Sequence, residues 1–155
     1  MPTTPQGCVY LAPKIPTADA VLIHCAVAHL VARYPAARLT RSGIVAAALT
    51  EALARPSKWG HCVPPSGRKD RATYGIARDP LPLLLPADLV SRVRRTAADR
   101  DRPVAATIGT ASVHVLALVA RDLEAITRCA PGSPEHRKAD RRVARFVARI
   151  APDRR

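Results

Sequence analysis

His24, Cys25 and His29 fall within six residues of one another, and His61-Cys62 follows later, so nitrogen and sulfur ligands for zinc are present. Zinc sites usually show tight Cys-x-x-Cys or His-x-x-x-His pairs, and neither occurs here. The spacing predicts no metal and no cofactor, with Cys25 a core residue and His24 or His29 on a helix surface. Catalysis would need an activated nucleophile beside a base, a carboxylate pair, or a glycine loop that cradles phosphate. The acids are scattered, the glycines sit singly, and His114 stands alone in an apolar run, where a satisfied buried histidine is expected. The reading is therefore non-enzymatic.

What the chain does carry is positive charge. Its 155 residues hold 25 Lys and Arg against 12 Asp and Glu, a net charge of +13. Such a field attracts polyanions, which leaves nucleic acid or an anionic membrane as partner classes. Lysine occurs only at positions 14, 58, 69 and 138; the rest is arginine, which suits bidentate phosphate and guanine contacts. GC-rich codon usage also explains that ratio, so the net charge carries the inference. Aromatic content of 3% argues against single-strand binding by base stacking. Four cysteines far apart, and an opening MPTTPQG without a charged and apolar leader, imply reduced thiols and a cytoplasmic, nucleoid-associated protein. The longest uncharged stretch, 103–120, contains Thr107, Thr110, Ser112 and His114 and reads as a buried helix, not a membrane span.

The elements that must position this charge follow from spacing. Thr17 is expected to cap a helix through Val21, Ile23, Val27, Leu30 and Val31 that ends near Tyr34-Pro35. Thr40 opens a second, with Ile44, Val45, Leu49 and Leu53 on one face, stopped by Pro56. Residues 56–79 read as a polar, basic surface linker. LPLLL at 81–85 is extended because Pro80 and Pro82 exclude helix. Leu89, Val93 and Ala97 mark a helix after Pro86 that ends near Arg100, and Pro103 is expected as the first residue of another running towards Ile126. After the breaker PGSP, a stripe of Val143, Phe146, Val147 and Ile150 opposes Arg141, Arg142, Arg145 and Arg149 in a basic tail helix. The expected organisation is a strand–helix–helix unit at 8–55, the linker, a second unit at 80–128 and the tail at 131–155.

Leu83 to Ile108, LLLPADLVSRVRRTAADRDRPVAATI, resembles the ribbon–helix–helix family of DNA-binding proteins. Pro86, Asp88, Leu89, Val93, Ala97, Arg102, Val104 and Ile108 fall in the family's order. Leu39 to Leu53, LTRSGIVAAALTEAL, is similar to its second-helix signature, with Cys8 to Pro16 as the matching ribbon. The first unit is longer: Pro16 to Ile44 spans 28 residues, Pro86 to Ile108 22. The resemblance implies a mainly α fold with a short β ribbon, a tandem pseudo-dimer within one chain plus the basic C-terminal helix.

It also implies a site. Alternation turns Val9, Leu11 and Ile15 inward and places Tyr10, Ala12 and Lys14 outward as the reading face. The second strand would present Leu84, Pro82 and Pro80, a poor reading surface whose prolines cost ladder bonds, unless its ribbon lies at 73–78. Thr40, Arg41 and Ser42 would hold phosphate at a helix N-terminus. Lys58, Arg68, Lys69, Arg71, Arg78, Arg102, Arg141, Arg142 and Arg145 would follow the backbone. The expected partner is double-stranded DNA, in transcriptional repression or in plasmid transfer or partition. A second copy, or a second protein held by the tail, is a further expected partner; a membrane is not. The rival readings are an antitoxin-like protein–protein module and a charge-driven RNA or nucleoprotein subunit.

Overall fold

The computed structural model describes residues 7–64 and 76–150. The order is β1 (Cys8–Leu11), β2 (Lys14–Pro16), α1 (Thr17–Arg33), α2 (Arg41–Leu53), β3 (Arg78–Pro80), β4 (Leu83–Pro86), α3 (Ala87–Asp99), α4 (Val104–Arg128) and α5 (Pro134–Ala148). The fold is mainly α with a short antiparallel ribbon. Extended chain followed by two helices occurs twice.

The extended segments pair with each other across the chain. β1 runs antiparallel to β4, with Cys8 opposite Pro86 and Leu11 opposite Leu83. β2 runs antiparallel to β3, with Lys14 opposite Pro80 and Pro16 opposite Arg78. Leu81 N–H donates to Pro13 O at 2.9 Å and carries the same register across the gap. At the two ends, Thr17 N–H reaches Ala77 O at 3.0 Å and Ala87 N–H reaches Gly7 O at 2.8 Å. The first N–H of α1 and of α3 is thus spent on the opposite strand. Thr17 is therefore the first helical residue and not a side-chain cap, because Pro16 holds the N-cap position and no side chain caps it.

This ladder explains the prolines. In an antiparallel pair only every second residue points its N–H at the partner. Thr17, Leu81 and Ala87 do so, and Pro16, Pro80, Pro82 and Pro86 fall out of step with them, where the nitrogen faces away. Those four prolines remove no ladder bond, contrary to the expectation for the second strand. They instead blunt both outer edges of a ribbon that has nothing but edges. Pro13 is the exception, and its carbonyl still accepts from Leu81.

Alternation sends Ile15, Leu81, Leu83 and Leu85 into the core, all at most 1% exposed, with Val9 and Leu11 packed against it. The helices cover that inner face in crossed fashion. α1 packs on α4, α2 on both α3 and α4, and α4 on β2. Gly109 makes the last approach possible: a Cβ there would lie 3.0 Å from Ile15 Cγ2. Fully burying each such Leu or Ile contributes about 1.5–3 kcal/mol, so one continuous cluster from all five helices and the ribbon replaces two small cores.

In each half a left-handed residue lies in the connection between the two helices. Arg38 (φ 49°) precedes the N-cap Thr40 by two, and Asp101 (φ 48°) precedes the N-cap Pro103 by two. Pro103 is thus the cap of α4, whose first helical residue is Val104. α4 is long and apolar enough to cross a bilayer, a wider span than the uncharged stretch suggested. Here it is the central helix, with Ile108, Leu116, Val119 and Leu123 buried against its neighbours.

Other expectations fail as well. Residues 56–64 are not surface linker: two 3₁₀ turns (Pro56–Lys58, Gly60–Cys62) carry Trp59 and Val63 into the core, and Trp59 Nε1 donates to Ala52 O at 2.7 Å. Cys25 is exposed rather than buried, and His114 is only half-buried. The tail helix α5 is seated on the rest of the chain through the apolar stripe expected for it. Ala139, Val143, Phe146 and Ile150 bury against the rest, and Arg33 pairs with Asp140 at 3.0 Å, a bond that raises the Arg33 guanidinium above its ordinary value.

Replacing Trp59 with Ala should cost about 3–5 kcal/mol, since it removes the largest buried side chain and leaves a cavity. Urea unfolding measures it; a loss below about 0.5 kcal/mol, the value for a surface position, would return this segment to the linker.

Candidate nucleic-acid interface

The outer face of the ribbon is formed by side chains that alternate with the buried set. Tyr10 is 62% exposed, Ala12 and Lys14 are exposed, and Pro80 is exposed beside them, while Leu84 and Pro82 are half-buried. The register sets Tyr10 opposite Leu84 and Lys14 opposite Pro80. These are the residues expected to face outward on both strands. The second strand is the one at 78–86, and residues 73–75 of the alternative ribbon lie outside the described residues.

α2 meets this ribbon at its N-terminus. Thr40 caps the helix: its Oγ1 accepts from Gly43 N–H at 3.1 Å and its carbonyl accepts from Ile44 N–H at 3.0 Å. The Ser42 hydroxyl accepts from Leu84 N–H at 2.9 Å, which satisfies a donor on the ribbon's outer edge. Both oxygens act as acceptors, so each hydroxyl proton remains to be donated. The Arg41 and Ser42 N–H groups belong to the first turn, which has no intrahelical acceptors. The start of α2 is therefore a donor-rich, positively polarised edge fixed against β4. Arg41 stands half-buried there with Nε shielded and unpartnered, and Arg102, one residue before the N-cap of α4, is in the same state.

Other expected residues are dispersed. Arg78 is exposed at the start of β3, opposite Pro16. Lys58 lies beyond the far end of α2, a helix roughly 20 Å long at 1.5 Å per residue. Arg141 and Arg145 are exposed on α5, whereas Arg142 pairs with Asp122 at 2.9 Å. It is the end of α5 that approaches α2: a Cβ at Gly43 would sit 3.3 Å from Ile150 Cγ2, and Arg149 pairs with Glu51 at 3.5 Å. Arg68, Lys69 and Arg71 lie outside the described residues.

A groove of about 1370 Å³ lies beside this edge and α2, lined among others by Ser42, Ala46, Ala47, Arg55, Arg92 and Leu118. The sequence held no sign of it, because it is assembled from segments far apart in the chain. Ser42 was singled out from the sequence for phosphate, but not for its bond to Leu84, which lies 42 residues away. Among the described residues no three His, Cys, Asp or Glu side chains converge to hold a metal ion. Comparison of the chain with protein-family models, with curated proteins and with solved structures finds no match.

Ser42→Ala leaves the Leu84 N–H without its acceptor and should lower stability by about 1–3 kcal/mol. Thr40→Ala removes a helix cap and should cost ~1 kcal/mol. Denaturant titration checks both; an unchanged midpoint for Ser42→Ala would mean that the bond to Leu84 contributes nothing.

Proposed function

We propose that this chain is a duplex-DNA-binding protein of the ribbon–helix–helix type, two copies fused in tandem as an intramolecular pseudo-dimer. Its role would be transcriptional repression or assistance to plasmid transfer or partition. One observation carries the reading: the strands of the two halves pair into a single antiparallel ribbon whose exposed face bears Tyr10 and Lys14, in a chain of net charge +13.

The two halves are alike in detail, which supports the fusion. Each strand donates the first N–H of its helix to the other strand, and each helix pair is joined through a left-handed residue two positions before the next N-cap. The crossed packing of α1 on α4 and α2 on α3 is what two interlocked copies require. A two-stranded ribbon fits the major groove, where base edges differ in donors and acceptors. The start of α2 beside it suits a phosphate, because free N–H groups and a positive helix end favour an anion.

The groove beside α2 favours a second reading, a protein–protein module. A partner of stable stoichiometry that co-purifies, together with no duplex binding, would put it first.

Gel-shift titration at two salt concentrations tests the leading reading. Affinity for duplex DNA should fall steeply with salt, since each neutralised phosphate releases about one counterion. Arg41→Ala should weaken binding to all duplexes alike and reduce that slope by about one. It is a cleaner probe than Ser42, whose removal also disturbs the fold. Lys14→Ala should cost about 1–3 kcal/mol on the preferred site and much less on random duplex. Equal losses on both would make Lys14 a phosphate contact, and no loss on either would take the ribbon out of the interface.

A further inference from the structure

We infer that the DNA site is not an inverted repeat: its two halves are read by different chemistry, one through guanine and one through thymine methyl groups. The inference rests on the duplex-binding reading and deepens it by naming the target.

Corresponding ribbon positions are fixed by distance from the helix that follows. Lys14 lies three residues before Thr17, the start of α1, and Leu84 three before Ala87, the start of α3. By the same count Ala12 corresponds to Pro82 and Tyr10 to Pro80. All six side chains belong to the outer set, since the buried residues Ile15, Leu81, Leu83 and Leu85 occupy the alternate positions. The backbone of the two strands is equivalent, and the chemistry they present is not.

A protein made of two identical copies presents the same side chains twice about its axis, and its site must repeat inverted. Fusion into one chain lifts that constraint, and here the strands have diverged at all three outward positions. On the first strand Lys14 donates, which suits guanine O6 and N7, while the Tyr10 hydroxyl, which can donate or accept, lies at the other end of that strand, opposite Leu84. On the second strand Leu84, Pro82 and Pro80 have no polar side-chain atom. An apolar group in the major groove distinguishes bases through the thymine C5-methyl, the one apolar feature there. The backbone N–H of Leu84 is not free either, because it donates to the Ser42 hydroxyl.

Selection of bound duplexes from a randomised library tests this with the full chain. The expected consensus is asymmetric, with guanine preference confined to one half and thymine enriched in the other. Against a duplex carrying the guanine half twice in inverted repeat, the selected site should bind roughly 5- to 150-fold more tightly, the range of one base contact. Leu84→Lys copies the first strand's donor into the second, and its consensus should gain guanine in the second half. Lys14→Leu should lose guanine preference in the first. An inverted-repeat consensus for the natural chain, or none at all with duplex binding retained, overturns the inference and leaves duplex binding standing. No retention of duplex even at low salt overturns both. Circular dichroism of the two variants separates a changed preference from a lost fold, and the natural-chain selection decides the question without them.

Discussion

The pairing of 7–17 with 77–87 is the contact on which the other elements depend. It joins segments about seventy residues apart, anchors the first N–H of α1 and α3, and gives one sheet face to the core and one to solvent. A two-stranded ribbon is marginal in water by itself and persists only when an apolar face is covered. The cover comes from helices of both halves, α2 over β4 and α4 over β2, so neither half completes its core without the other. Loop closure over so many residues opposes that pairing by only a few kcal/mol, because the cost grows with the logarithm of length. The buried Ile and Leu side chains of the inner face outweigh it.

The additions to this frame follow the same logic of covering exposed apolar surface. After α2 the chain turns back through Trp59 and Val63, and after α4 it returns as α5, whose apolar stripe lies on α4. The four side-chain ion pairs among the described residues, Arg33–Asp140, Arg128–Glu124, Arg142–Asp122 and Arg149–Glu51, lie at the surface, and pairs of that kind each contribute at most about 1 kcal/mol. Three of them tie α5 and its C-terminal end to their neighbours, the pair Arg128–Glu124 lies within α4, and none decides the fold. Their larger effect is to use up acids. With 12 carboxylates against 25 cations, more than half of the cations have no carboxylate of their own, which is the electrostatic condition for a polyanion ligand.

Much of the element order was legible, for reasons that are local. Alternation identified the inward and outward faces of 8–16, because the strand period of two holds whatever the partner. Helical spacing located all five helices, and Thr40 and Pro103 marked two of their starts, though Pro103 proved to be a cap rather than a first helical residue. Trp59 was misplaced because polar and breaking residues surround it, and local composition does not reveal that a turn folds back onto a core. Cys25 was misplaced because the uncharged run of α1 does not say which side faces solvent.

What the sequence by itself determined was charge, periodicity and the likeness of two strand–helix–helix runs. These depend on each residue and its near neighbours. Only the tertiary structure decided that the two extended segments pair with each other in one register, that four prolines sit where no ladder bond is lost, and that Ser42 holds Leu84. Those depend on which distant groups meet. Backbone hydrogen bonds between strands have no signature in either strand alone, so the surface that the two build together existed only once they were joined.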